Sequence, residues 1–182
     1  NRVRRSIIFD SKADLLVYGM GETASLEIAR RLRKGESVES ITDVRGTAFV
    51  SGKKESCRFP NVEAASFECV RDSKRDYAEA NKIEYEEHDP VRGRAVVQGS
   101  TGRYLIVNPP AEPLSRAEFD RIAELPYMRT FHPMYEKDGG VPSIEEVKFS
   151  VIHNRGCFGA CNFCALAFHQ GRMITSRSID SV

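Results

Sequence analysis

Three thiols fall within eight residues, Cys157-Phe158-Gly159-Ala160-Cys161-Asn162-Phe163-Cys164, and no other stretch restricts this 182-residue chain so tightly. With five cysteines in all, a given three-cysteine spacing arises by chance in roughly 0.4 per cent of chains of this length. The C-x3-C-x2-C spacing lets three thiolates from one loop converge on one face of a metal centre, and the small residues between them allow tight winding. Iron is the natural partner of such a soft set. Iron-sulfur clusters are usually held by four Cys thiolates. Cys157, Cys161 and Cys164 without a nearby fourth cysteine therefore leave one iron with an exchangeable position, as catalytic zinc keeps one where structural zinc does not. The rival is zinc with His169 as fourth ligand, although C-x3-C-x2-C-x4-H fits the usual paired zinc spacings poorly. Three free or structural cysteines are the third reading.

The motif, with Phe163 just before its last cysteine, resembles the cluster-binding signature of radical SAM enzymes. The wider run Lys148–Ile152, Asn154–Gly159, Phe168–Arg172 and Ser176–Ser178 is similar to the YgiQ-like radical SAM proteins, and Asn108-Pro109-Pro110 and Tyr127–Tyr135 extend the likeness. The resemblance implies a [4Fe-4S] cluster on Cys157, Cys161 and Cys164. Its open iron chelates the amino and carboxylate groups of S-adenosylmethionine, and Phe163 lies against the adenine. It also implies an electron donor such as flavodoxin or ferredoxin, and reductive cleavage of S-adenosylmethionine to a 5′-deoxyadenosyl radical. The cofactor carries that chemistry while the protein binds and orients.

Basic residues number 27 and acidic residues 26, a net charge of +1, so no overall field attracts nucleic acid or an anionic membrane. There is no run of 18 apolar residues, and Ile7-Ile8-Phe9 after the basic start is too short for a signal peptide. Clustered thiols suit a reducing compartment, and a cytoplasmic protein is the default expectation. A chain that opens without Met and stops at Ile179–Val182, in what reads as a helix start, is expected to be a stretch of a longer protein.

Ala13–Tyr18 reads as a buried parallel strand ending in Gly19-Met20-Gly21, followed by a helix from Thr23 to Lys34 that stops at Gly35. With Gly46–Val50 as the next strand, this is a β-α-β unit of α/β class. Gly-Met-Gly-Glu is a plain tight turn or, less directly, a phosphate cradle at a helix N-terminus. In the family resemblance, residues 1–50 form the closing part of a Rossmann-like, cobalamin-binding-like domain; whether the corrinoid binds is left open.

Residues 51–145 read as an α+β segment. It comprises a linker or hairpin tip over 51–62, an imperfect helix over 65–83, a hairpin of Arg94–Gln98 and Arg103–Val107 with a four-residue loop, and a capping-box helix from Ser115 to Leu125. Cys57 and Cys69 read as incidental thiols. The aromatic run Tyr127–Tyr135 reads as a core-packing loop or a lid over the cluster. Residues 146–182 read as the start of a radical SAM (β/α) barrel, with Lys148–Ile152 its first strand and the cysteines in the loop at that strand's C-terminal end. Arg155, His169, Arg172 and Arg177 are candidate cations around an anionic cluster.

Overall fold

The computed structural model describes residues 2–159, 161 and 163–182; Ala160 and Asn162 of the thiol motif lie outside the described residues. The fold is mixed α/β, built on a five-stranded sheet ordered β1-β2-β5-β4-β3. Its strands are β1 (Leu16–Val17), β2 (Thr47–Ser51), β3 (Asn61–Ala64), β4 (Ala95–Ser100) and β5 (Arg103–Val107). Strands from both sides of residue 50 thus share one sheet. Phe49, Ile106 and Val97 stand in register across β2, β5 and β4 and form one core cluster. Ala48 and Leu105 pack on the opposite side against Ile8 and Phe9 of α1 (Ile7–Ser11). Alternating side chains along β2 and β5 therefore feed two cores, as a two-residue period requires.

The expected parallel β1–β2 pair is corrected: β1 is two residues long and pairs antiparallel with β2, Leu16 opposite Ala48. The reason lies in the return path. Helix α2 (Glu22–Arg33) leads away from the sheet and ends at Lys34, and Gly35 at φ +86° closes the helix with Glu36 N–H donating to Arg31 O at 3.2 Å. The chain then comes back along that helix, Ile41 and Val44 packing on Ala24, so Gly46 arrives opposite Tyr18, whose N–H it accepts at 2.9 Å. An excursion that returns to its starting end yields an antiparallel neighbour.

A parallel pair does occur, between β3 and β4, Val62 opposite Val96, and its crossover is helical. The single helix expected over 65–83 is two, α3 (Phe67–Asp72) and α4 (Lys74–Glu87). Ser73 sits between them in extended geometry, and its hydroxyl accepts from Asp76 N–H, so one residue ends α3 and caps α4. The β4–β5 hairpin forms as expected, but through a two-residue turn, Thr101-Gly102, both at positive φ, rather than a four-residue loop. Helix α5 (Arg116–Ala123) carries the full Ser115/Glu118 capping box and buries Phe119.

The expected strand over Lys148–Ile152 is also corrected. Lys148 closes the one-turn helix α6 (Ile144–Val147), and Phe149, Val151 and Ile152 are exposed. A strand needs a partner to satisfy its ladder, and none lies beside this run among the described residues. Pairing begins later, between β6 (Asn154–Arg155) and β7 (Thr175–Ser176), and it is antiparallel. Tyr127, Met128, Met134 and Tyr135 are exposed, so the core-packing reading of that run is corrected as well. No helix is long and apolar enough to cross a membrane among the described residues.

Candidate functional site

The thiol loop springs from the β6–β7 hairpin. Gly156 has φ +91°, and a Cβ there would meet Met173 O at 2.1 Å, so only glycine lets the strand run this close to its partner. Gly156 N–H donates to Gln170 Oε1 at 3.1 Å, and Cys157 N–H to Gly171 O at 3.0 Å. The first cysteine is thereby locked to the chain that follows helix α7 (Leu166–Gln170).

Beyond it the loop opens. A Cβ on Gly159 would lie 3.4 Å from Cys157 Sγ and 3.8 Å from Cys161 Sγ, so these two sulfurs flank one small volume that glycine leaves free. Cys164 N–H donates to Cys161 O at 3.0 Å, tying the third thiol to the second. Cys157 and Cys164 are partly exposed and Cys161 is exposed. Soft, reachable sulfur donors on one short loop fit a thiolate-bound iron centre in chemistry. Among the described residues no set of three or more His, Cys, Asp or Glu is gathered around a common metal position, and that includes His169. Phe158 and Phe163 project outward at 81 and 92 per cent exposure.

The cations around the loop mostly face elsewhere. Arg155 donates to Glu22 Oε1 at 2.5 Å, in the first turn of α2, and its guanidinium lies 4.7 Å from the Phe119 ring centre. The α2 N-terminus thus meets a side-chain ion pair, and a Cβ on Gly21 would strike Val17 at 2.8 Å, which makes Gly19-Met20-Gly21 a tight packing turn. Arg172 stacks 4.0 Å over Tyr85 and donates to its carbonyl. Arg177 donates to Ile152 O and to Ser181.

Further ties hold the segment to helices α4 and α5. Ser178 N–H donates to Asp120 Oδ1 at 2.9 Å, which holds that carboxyl below its ordinary range. Phe168 packs between His88, at 5.2 Å between ring centres, and Tyr85, at 6.2 Å. Tyr18, His88 and Phe168 line a cavity of about 230 Å³. Burial, reinforced by Arg172, lowers the His88 pKa, and burial raises that of the Tyr18 phenol.

Sequence reasoning missed Glu22 and Phe119 as supports of the loop, because no local pattern links residues 133 positions apart. Cys57 packs half-buried beside Phe49 and Val97 and Cys69 is exposed on α3; both are free thiols.

Residues 1–150 match the family model described as Radical SAM N-terminal, a match that stops short of Cys157, Cys161 and Cys164. The chain belongs to the radical SAM N-terminal family. It is 52% identical over its whole length to a "UPF0313 protein" of Clostridium botulinum (Type A), and 50% identical to one of Clostridium perfringens (Type A). The chain spans 28% of the length of these curated relatives. The family match and these relatives uphold the resemblance to a YgiQ-like radical SAM protein. No solved structure matches it.

Proposed function

We propose that the longer protein of which this family member is a part binds a [4Fe-4S] cluster through Cys157, Cys161 and Cys164 and cleaves S-adenosylmethionine reductively, with residues 146–182 as the start of its radical SAM barrel. The observation that carries this reading is the C-x3-C-x2-C loop, with two sulfurs flanking Gly159, on a chain of the radical SAM N-terminal family. When bound, such a cluster delivers an electron that splits S-adenosylmethionine into methionine and a 5′-deoxyadenosyl radical.

The chain's own residues hold and orient. Cys157 enters from a locked hairpin, whereas Cys161 and Cys164 sit on the open part of the loop, so metal binding itself would draw the set together. Phe163, exposed next to Cys164, would cover the adenine. An external one-electron donor of the flavodoxin or ferredoxin type supplies the reductant.

The test is anaerobic reconstitution of the full-length protein with iron and sulfide, followed by metal counting and electron paramagnetic resonance. About four irons per chain are expected from the cluster type, with loss in Cys157→Ser, Cys161→Ser and Cys164→Ser, and a spectrum altered by S-adenosylmethionine. One tightly held zinc and no iron would instead establish a zinc-stapled loop.

A further inference from the structure

We propose that Arg155 is a positioning residue for the thiol loop, clamped between Glu22 and Phe119 so that the sheet domain sets where Cys157 is presented. The inference rests on the cluster reading above and adds to it a role for the region before the loop.

Three observations converge on Arg155. Its side chain is mostly covered, at 20 per cent exposure, and so is that of its partner Glu22, at 28 per cent. Glu22 Oε2 is buried with no hydrogen-bond partner, so the carboxylate depends on Arg155, its one ion-pair partner among the described residues. Phe119, 2 per cent exposed on α5, lies with its ring centre 4.7 Å from the guanidinium. Planar, delocalised arginine suits an ion pair and an aromatic face together, which a lysine ammonium does not.

The backbone carries this anchoring onward. Arg155 is followed by Gly156, whose contact with Met173 O permits no side chain, and by Cys157, whose amide is held by Gly171 O. Hairpin and clamp together leave Cys157 the fixed member of the thiol set and leave the loop beyond it to adapt. Partners that orient a metal ligand from behind typically change metal affinity by ten- to a hundredfold when removed.

The experiment uses the full-length protein carrying Arg155→Met, Glu22→Gln, both together, and Arg155→Lys. Asp120→Asn serves as a control that weakens a different tie of the same segment, the one from Ser178 to α5. In reconstituted protein, Arg155→Met is expected to speed chelator-driven iron loss about tenfold. Glu22→Gln should act in the same direction, and the double variant should add little, because the two side chains work as one unit. Arg155→Lys should restore part of the retention.

In protein without iron, the amides of Gly156 and Cys157 should exchange faster in Arg155→Met at an unchanged global melting temperature. Unchanged exchange, or iron loss that tracks melting temperature equally in the Asp120→Asn control, overturns the clamp. Wild-type protein that takes up no iron refutes the cluster reading, while the exchange measurement still decides the clamp.

Discussion

At the residue scale, Asn108 shows how one side chain organises a long loop. Its Nδ2 lies 3.0–3.1 Å from Thr42 O, Val44 O and Thr47 Oγ1 and donates among them, while the backbone carbonyl of the same residue accepts the Tyr18 hydroxyl at 2.5 Å. It is 1 per cent exposed, so these groups have no water to fall back on. Asn108→Ala is expected to cost about 2–3 kcal/mol, the penalty for stranding buried acceptors, read as a lower urea midpoint at unchanged slope. In the sequence Asn108-Pro109-Pro110 carries part of the family likeness but no sign of these bonds. Their partners sit more than 60 positions earlier in the chain.

At the element scale, the β6–β7 hairpin is short and depends on close backbone approach. Gly156→Ala forces a Cβ onto Met173 O at a positive φ and is expected to unpair the hairpin. Faster amide exchange over 154–157 and 171–176, with the five-stranded sheet unaffected, would show it. The capping box on α5 gives a milder case. Ser115→Ala removes the hydroxyl that receives Glu118 N–H and is expected to cost about 1 kcal/mol, measured by thermal denaturation. That box was readable because it spans four residues. The break at Ser73 carried the same kind of cue, Ser-x-x-Asp, but the apolar positions on both sides blended into one imperfect period.

At the scale of the whole molecule, the loop-bearing segment is held to the helices α2, α4 and α5 by α7 packing on His88 and Tyr85, by Arg172 on Tyr85, by Ser178 on Asp120 and by the Arg155 clamp. His88 faces Tyr18 and Phe168, with Arg172 nearby, and its pKa lies below the ordinary 6.5. The undocked form therefore binds the proton more readily than the docked one. Docking stability is fully present above pH 6.5 and declines as pH falls through the lowered pKa. Protection factors over Leu166–Gln170, taken relative to the intrinsic exchange rate at each pH, are expected to fall between pH 7.5 and 5.5, and His88→Gln should flatten that dependence. Carboxyls such as Glu87, held below their ordinary range by Arg94, lose their contribution only in more acidic solution.

The amino-acid sequence by itself determined the thiol loop, the α2 stop at Gly35, the β4–β5 hairpin and the α5 cap. Each depends on residue types a few positions apart and on local backbone preference. Only the tertiary structure decided that β1 runs antiparallel to β2, that the parallel crossover lies between β3 and β4, and that Arg155 reaches Glu22 rather than the thiols. Those outcomes turn on which apolar face the returning chain packs against, and on a pairing across 133 residues that no local period records. Lys148–Ile152 makes the same point from the other side. Its alternation is strand-like, but alternation becomes a strand only where another edge accepts its hydrogen bonds.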